Sequence, residues 1–198
     1  MEPMEIAKKL QVQFPGEVIE IYDYQGQVAV VANRERIIDI LRWLRDTPSI
    51  DMDHLMALCG VDNLSRPGAE NLERFEVVYN LYSTTKRHML RIRAQVPEGN
   101  PCIDSATSLW SGADWLERET YDLVGITFTG HPNMKRILLP DDWQGHPLVK
   151  NYPLKGEQEW SGMVDLIERV EQLREFDFYE NNPSPVGKDA DQCQTRND

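Results

Sequence analysis

Two alternating runs in the middle of the chain constrain its fold more than anything else in it. Phe75, Val77, Tyr79 and Leu81 alternate with Glu76, Val78, Asn80 and Tyr82. After a short polar break, Leu90, Ile92, Ala94 and Val96 alternate with Met89, Arg91, Arg93 and Gln95. Period two sends successive side chains to opposite faces, so each run is a strand with one apolar and one polar face. The pair, over 75–83 and 88–96, predicts an antiparallel hairpin packed on one side only. Whatever covers that side must come from the rest of the chain.

The flanking sequence offers both more strands and some helices. Runs 17–24 and 27–32 are rich in β-formers and meet at Gln25-Gly26, which predicts a second hairpin with the glycine at positive φ. A short helix fits 4–11. Asn33 is a plausible N-cap for a helix carrying Ile37, Ile38, Leu41 and Leu44, stopped by Thr47-Pro48. The apolar run 54–59 predicts a further strand, and Cys59 within it an inert core thiol. A loop rich in Pro, Gly and Ser crosses 97–108. Ser111 then opens a helix with Asp114 three residues on, a capping-box arrangement. Asp114, Arg118 and Asp122 lie four apart on one face of that helix, and Gly125 suits its C′ position. Residues 126–160 show little periodicity and carry Gly-His-Pro twice, at 130–132 and 145–147. Met163, Leu166, Ile167, Val170 and Leu173 mark a last amphipathic helix. The polar 181–198 has little to bury and predicts a mobile tail.

The expected class is therefore α+β: a mostly antiparallel sheet of four to five strands flanked by helices, with an extended irregular C-terminal region. Three parts follow: an α+β domain over 1–125, an extended segment with one helix over 126–180, and the tail.

Charge and cysteine content exclude several functions. With 21 Lys and Arg against 33 Asp and Glu, the net charge is −12, the wrong sign for displacing counterions from nucleic acid. No apolar run approaches the roughly 20 residues that span a bilayer, and MEPMEIAKKL has neither an export leader nor the Arg-rich character of a transit peptide. Cys59, Cys102 and Cys193 are odd in number and widely spaced, so they make no disulfide framework and no C-x-x-C site. A cubane iron–sulfur cluster takes four thiolates, which this chain cannot supply. The glycines at 125, 130 and 145 are too far apart for a dinucleotide-binding loop.

One segment carries a family signature. Glu117-Arg118-Glu119 is followed by Asp122, Leu123-Val124, His131 and then Lys135-Arg136-Ile137-Leu138, all within 22 residues. This resembles the 30-kilodalton subunit family of respiratory complex I, the C subunit of bacterial proton-pumping NADH:quinone oxidoreductase. WSGADW before the triplet, GHPLVKNYP at 145–153 and REFDFYENNPSP at 174–185 extend the resemblance. Val149 and Asn151 depart from it, where the family usually has Arg and Asp. That paired departure suggests the loss of a local ion pair. The motif residues are Trp115, Glu117, Arg118, Glu119, Tyr121, Asp122, Gly125, Gly130, His131, Pro132, Lys135, Arg136, His146, Pro147 and Lys150.

The resemblance implies a non-catalytic subunit that binds no cofactor or metal. It would sit peripherally on the cytoplasmic side of a bacterial membrane, reaching the membrane only through its assembly. There it would brace the large quinone-site subunit and the cluster-bearing subunits, while the assembly uses FMN, iron–sulfur clusters, NADH and quinone. The equivalent subunit of a membrane-bound nickel–iron hydrogenase, or of a ferredoxin- or F420-fed complex, is the alternative. A soluble assembly factor is a further one.

The residues themselves say less. Glu117 and Glu119 stand about 200° apart around a helix, so they cannot work as a pair. Either one with His131 is the arrangement a hydrolase would need. A structural role for His54, His88, His131 and His146, and a solvated face with intrahelical pairs for the charged helix, are the simpler expectations. Trp110, Trp115, Tyr121 and Arg118, crowded beside an irregular segment, are the types that anchor protein interfaces.

Overall fold

A computed structural model describes residues 1–68, 71–154 and 162–175. Its elements run α1 (Pro3–Gln13), β1 (Val18–Tyr24), β2 (Gln27–Asn33), α2 (Ile37–Asp46), β3 (His54–Asp62), β4 (Phe75–Tyr82), β5 (Met89–Val96), β6 (Cys102–Asp104), α3 (Ala113–Val124), β7 (Thr127–Thr129) and α4 (Gly162–Glu175). Residues 1–154 form one compact unit; α4 belongs to a second, which begins at Lys155. The expected C-terminal tail and the 176–185 end of the family resemblance lie outside the described residues.

Five strands make one sheet in the order β1-β2-β5-β4-β3. The β4–β5 hairpin expected from the alternation is there, with Phe75 opposite Val96 and Tyr82 opposite Met89. β3 adds antiparallel to β4, and β1 to β2. The hairpins are joined by a parallel pairing of β2 with β5, and α2 carries the chain across from β2 toward the far side of the sheet. Val77, Tyr79 and Leu81 with Leu90, Ile92 and Ala94 turn one face inward. Ile6 and Leu10 of α1, and Ile37, Ile40, Leu41 and Leu44 of α2, close over it. The opposite face keeps the polar set, including a buried Glu76 that takes two bonds from Arg93 and one of 2.6 Å from Gln95.

The β1–β2 turn has Gly26 at positive φ (79°) as expected, and Gln25 (φ 52°) is left-handed beside it, which matches the twist of paired strands. Several other local expectations change. Asn33 is no N-cap: it ends β2, its amide bonds Gly16 O at 3.2 Å, and α2 starts four residues later. Ser111 makes no capping-box bond; Gly112 precedes α3 without a side-chain cap. The loops hide a short parallel ladder, β6 with β7. Cys59 is exposed, because it pairs with Val78 on the polar face rather than in the core. His88 is buried with Nε2 donating to Ile50 O at 2.7 Å, as a structural histidine should; His54 is exposed.

α3 lies against β3, and Gly60 explains how closely. A Cβ there would stand 2.8 Å from Thr120 Cγ2 and 3.1 Å from Val124 Cγ2, so only glycine lets helix and strand meet at this distance. That contact fixes the orientation of α3, and with it everything described next.

Candidate functional site

The row Asp114, Arg118, Asp122 on α3 does not pair within the helix. Each member reaches the irregular segment after β7. Arg118 donates from Nε to Lys135 O (3.0 Å) and from Nη2 to Arg136 O (3.1 Å), with its guanidinium 5.4 Å from the Trp115 ring centroid. His131 sets Nε2 3.2 Å from Asp114 O and 3.1 Å from Asp114 Oδ1. Its Nδ1 accepts the Asn133 N–H at 3.0 Å, which leaves the proton on Nε2 and fixes the tautomer.

Asp122 is the centre. Wholly buried, its Oδ2 accepts three successive backbone N–H groups: Ile137 (3.0 Å), Leu138 (2.7 Å) and Leu139 (2.9 Å). Oδ1 takes the Arg136 guanidinium at 2.7 Å. Burial alone would raise its pKa; the bonds from Leu139, Leu138, Arg136 and Ile137 outweigh burial and hold it below the usual carboxylate range. Arg136 then donates onward to Trp143 O (3.0 Å) and Gly145 O (3.2 Å). One carboxylate and one arginine thus shape a stretch that has no ladder or helix of its own.

The C-terminal end of α3 completes the hold. Gly125 adopts φ 86° at the predicted C′ position. His146 packs where a Gly125 side chain would be: an added Cβ would meet its Cδ2 at 2.6 Å. His146 Nδ1 donates to Asp122 O at 2.9 Å, and its ring stands edge-on to Tyr121 at 5.9 Å. Leu148 N bonds Leu123 O at 2.9 Å. Gly130 (φ 81°) turns the chain into His131. The Lys135, Pro132 and Glu119 side chains face solvent, and Pro147 is partly buried.

A second hold reaches the motif residue Lys150 through two residues outside the sequence-derived set. Asp62, at the end of β3, accepts Lys150 N at 2.9 Å and pairs with Arg74 at 3.2 Å. Arg74 also bonds Glu98 and, at 2.9 Å, Asn151 Oδ1. Asn151 therefore meets a cation, Arg74, through a neutral carbonyl. Val149, the other departure, packs against the core. Sequence reasoning misses the Asp62–Arg74 hold because nothing in an apolar strand run signals that its last acid reaches 88 residues ahead.

Glu117 is separate from this row. No solvent reaches it; Ser105 Oγ (2.6 Å) and Ala106 N (2.7 Å) take its two oxygens. Burial pushes its pKa up against those bonds. Sealed and bonded, it pins the 105–106 turn to α3 and presents no lone pair to a substrate. Glu119 points elsewhere, as the helical spacing requires. With both His131 nitrogens committed as well, no acid–base pair assembles here. Among the described residues no group of three or more His, Cys, Asp or Glu is arranged to hold a metal ion, and no helix is long and apolar enough to cross a membrane.

The clamp maps onto the signature residues. The family model for the 30 Kd subunit of respiratory-chain NADH dehydrogenase matches residues 30–158. A curated relative from Roseiflexus sp. (strain RS-1), the C subunit of its NADH-quinone oxidoreductase, is 44% identical over 153 residues, covering 77% of this chain and 85% of the relative. The chain belongs to this family. Its counterpart from Geobacter sulfurreducens is 41% identical over 148 residues, with 75% and 88% covered. A solved trypsin-resistant fragment of Nqo5 is 32% identical with a TM-score of 0.58, covering 67% of this chain and 99% of that one. A chain from an archaeal membrane-bound sulfane sulfur reductase superposes with a TM-score of 0.61 at 18% identity over 89% of this chain, a likeness of fold.

Proposed function

We propose that this chain is a structural subunit of the peripheral arm of a proton-translocating NADH:quinone oxidoreductase and binds none of its cofactors. Its partners are other subunits of that arm, chiefly the large quinone-site subunit and the cluster-bearing ones. It reaches the cytoplasmic side of the membrane through them, while electrons pass from NADH through FMN and iron–sulfur clusters to quinone elsewhere in the assembly. The observation that carries this reading is the Asp122 clamp. The signature residues hold a segment in shape instead of converging on a reactive centre, and they leave Trp115, Leu138 and Leu148 more than half exposed. Large exposed side chains on a stiffened, irregular surface suit a partner better than a substrate.

The test separates assembly from turnover. Arg118→Ala and His131→Ala should lower the amount of assembled complex recovered from gently solubilised membranes, while NADH:quinone turnover per assembled complex stays near the unmodified value. Normal assembly with lost turnover would overturn the structural role. Recovery with hydrogen-dependent in place of NADH-dependent turnover would move the chain to the hydrogenase relative.

A further inference from the structure

A cavity of about 330 Å³ opens between the β1–β2 turn, the β4–β5 turn and the start of α1, sharing no residue with the clamp. Its charge is the opposite of the chain's. Lys86, Arg87 and Arg91 line it, with Glu2 as the one carboxylate, in a protein of net charge −12.

What marks these cations is how they are held. Most arginines elsewhere meet carboxylates, as Arg36 does Asp39, Arg45 Asp46, Arg74 Asp62, Arg93 Glu76 and Arg136 Asp122, while Arg118 is spent on two backbone carbonyls inside the clamp. Arg91 instead donates to two neutral side-chain carbonyls, Asn80 Oδ1 at 2.8 Å and Gln27 Oε1 at 3.1 Å. Those bonds orient its guanidinium, and among the described residues it enters no ion pair. Among the described residues Lys86 and Arg87 enter no ion pair; they stand exposed on the β4–β5 turn, where Arg87 takes the left-handed conformation (φ 56°). His88 lines the same cavity; with Nε2 bonded to Ile50 O, its buried Nδ1 has no hydrogen-bond partner among the described residues. A positioned guanidinium with no ion pair among the described residues, beside two free cations, is an arrangement that favours a multiply charged oxyanion, because each oxygen can take a charge-assisted bond.

We propose that this cavity binds a phosphate group, whether on a small soluble molecule or on an anionic lipid headgroup. The full chain would be titrated calorimetrically with inorganic phosphate at low ionic strength. In parallel it would be co-sedimented with vesicles of phosphatidylcholine alone or mixed with phosphatidylglycerol. Two variants accompany it: Arg91→Gln, and the double Lys86→Gln/Arg87→Gln, whose exposed positions keep the fold intact and guard against misfolding of the first. Saturable phosphate binding weakened about tenfold or more in both variants, the loss expected when one or two charge-assisted bonds go, supports the site with a soluble ligand. Binding only to phosphatidylglycerol vesicles, lost in the variants, supports it with a lipid headgroup. No binding to either probe, or binding that the variants leave unchanged, overturns it.

Discussion

Asp122→Ala removes the acceptor on which the irregular segment depends, and the structure sets the scale of the loss. The substitution leaves Arg136, whose side chain is 13% exposed, without its counter-ion. Stranding one partner of a buried pair costs about 3–5 kcal/mol. The amides of residues 137–139 each lose a bond to a charged acceptor, about 1.5–3 kcal/mol apiece if they stayed buried. They need not stay buried, because the segment has no helix or ladder to hold it and can lift into water. Detachment caps the cost, so the global loss should fall near 3–5 kcal/mol rather than at the sum. The same logic predicts where the damage shows: hydrogen exchange at residues 137–139 should lose its protection outright, while strands β4 and β5 lose only what the fall in global stability dictates. Asp122→Asn keeps one carbonyl but turns an NH2 toward donors, so it should fall between. Acidification offers an independent check. Because the folded pKa is depressed, the bound proton favours the unfolded state. Asp122's contribution is therefore complete above the unfolded pKa of about 3.9 and is lost as pH falls through the folded value. The exchange of residues 137–139 should rise over that acid window in the unmodified chain and be insensitive to it in Asp122→Ala. If Asp122→Ala keeps these amides protected and lowers the free energy of unfolding by less than about 0.5 kcal/mol, the clamp does not hold the segment.

Gly125→Ala should cost about 2 kcal/mol or more, since a left-handed alanine is strained by about 1–2 kcal/mol and its Cβ also evicts His146; an unchanged urea midpoint would refute the packing. Glu117→Ala should destabilise by about 2–4 kcal/mol through loss of its buried bonds to Ser105 and Ala106. Glu117→Gln, which can accept from Ala106 and donate to Ser105 Oγ, should be close to neutral at pH 7. The unmodified chain should gain stability from Glu117 as pH falls from neutral through its raised folded pKa toward the unfolded one, a slope that Glu117→Gln removes; denaturation curves across that range check it. Gly60→Val should separate α3 from β3, read as lost protection in α3 and a melting temperature lowered by several degrees.

The hairpins are legible in the sequence because period two is a local signal: Phe75 to Tyr82 declares its inward face without knowing its neighbour. The parallel join of β2 to β5 is not, since two strands some 60 residues apart leave no periodic trace of their register. Cys59 shows how one residue of phase reverses an environment: an apolar run names a strand, yet only the pairing with Val78 says which face a given side chain takes. On α3 the spacing of Asp114, Arg118 and Asp122 does mark one face, but solvated pairs and cross-chain clamps write the same pattern. One sign is available. Asp122 stands in the last turn of α3, where the helix dipole disfavours a carboxylate, so something beyond the helix has to hold it.

What holds it changes the argument for a partner. An irregular segment of this length inside a compact unit calls for outside support, and a partner protein is the economical source. Yet Asp122, Arg118 and Arg136 supply that support from within the chain, through bonds to carbonyls and amides at residues 135–139, 143 and 145, and His131 and His146 tie the same segment back to the α3 carbonyls of Asp114 and Asp122. The partner is then not needed to shape the segment, only to cover it. A surface ordered at folding meets its partner without the cost of ordering on contact, about 0.5–1.5 kcal/mol for each mobile side chain it would otherwise fix. That is the physical reason to expect the signature residues mostly inside the clamp rather than at its surface, and assembly rather than chemistry to fail when they are changed.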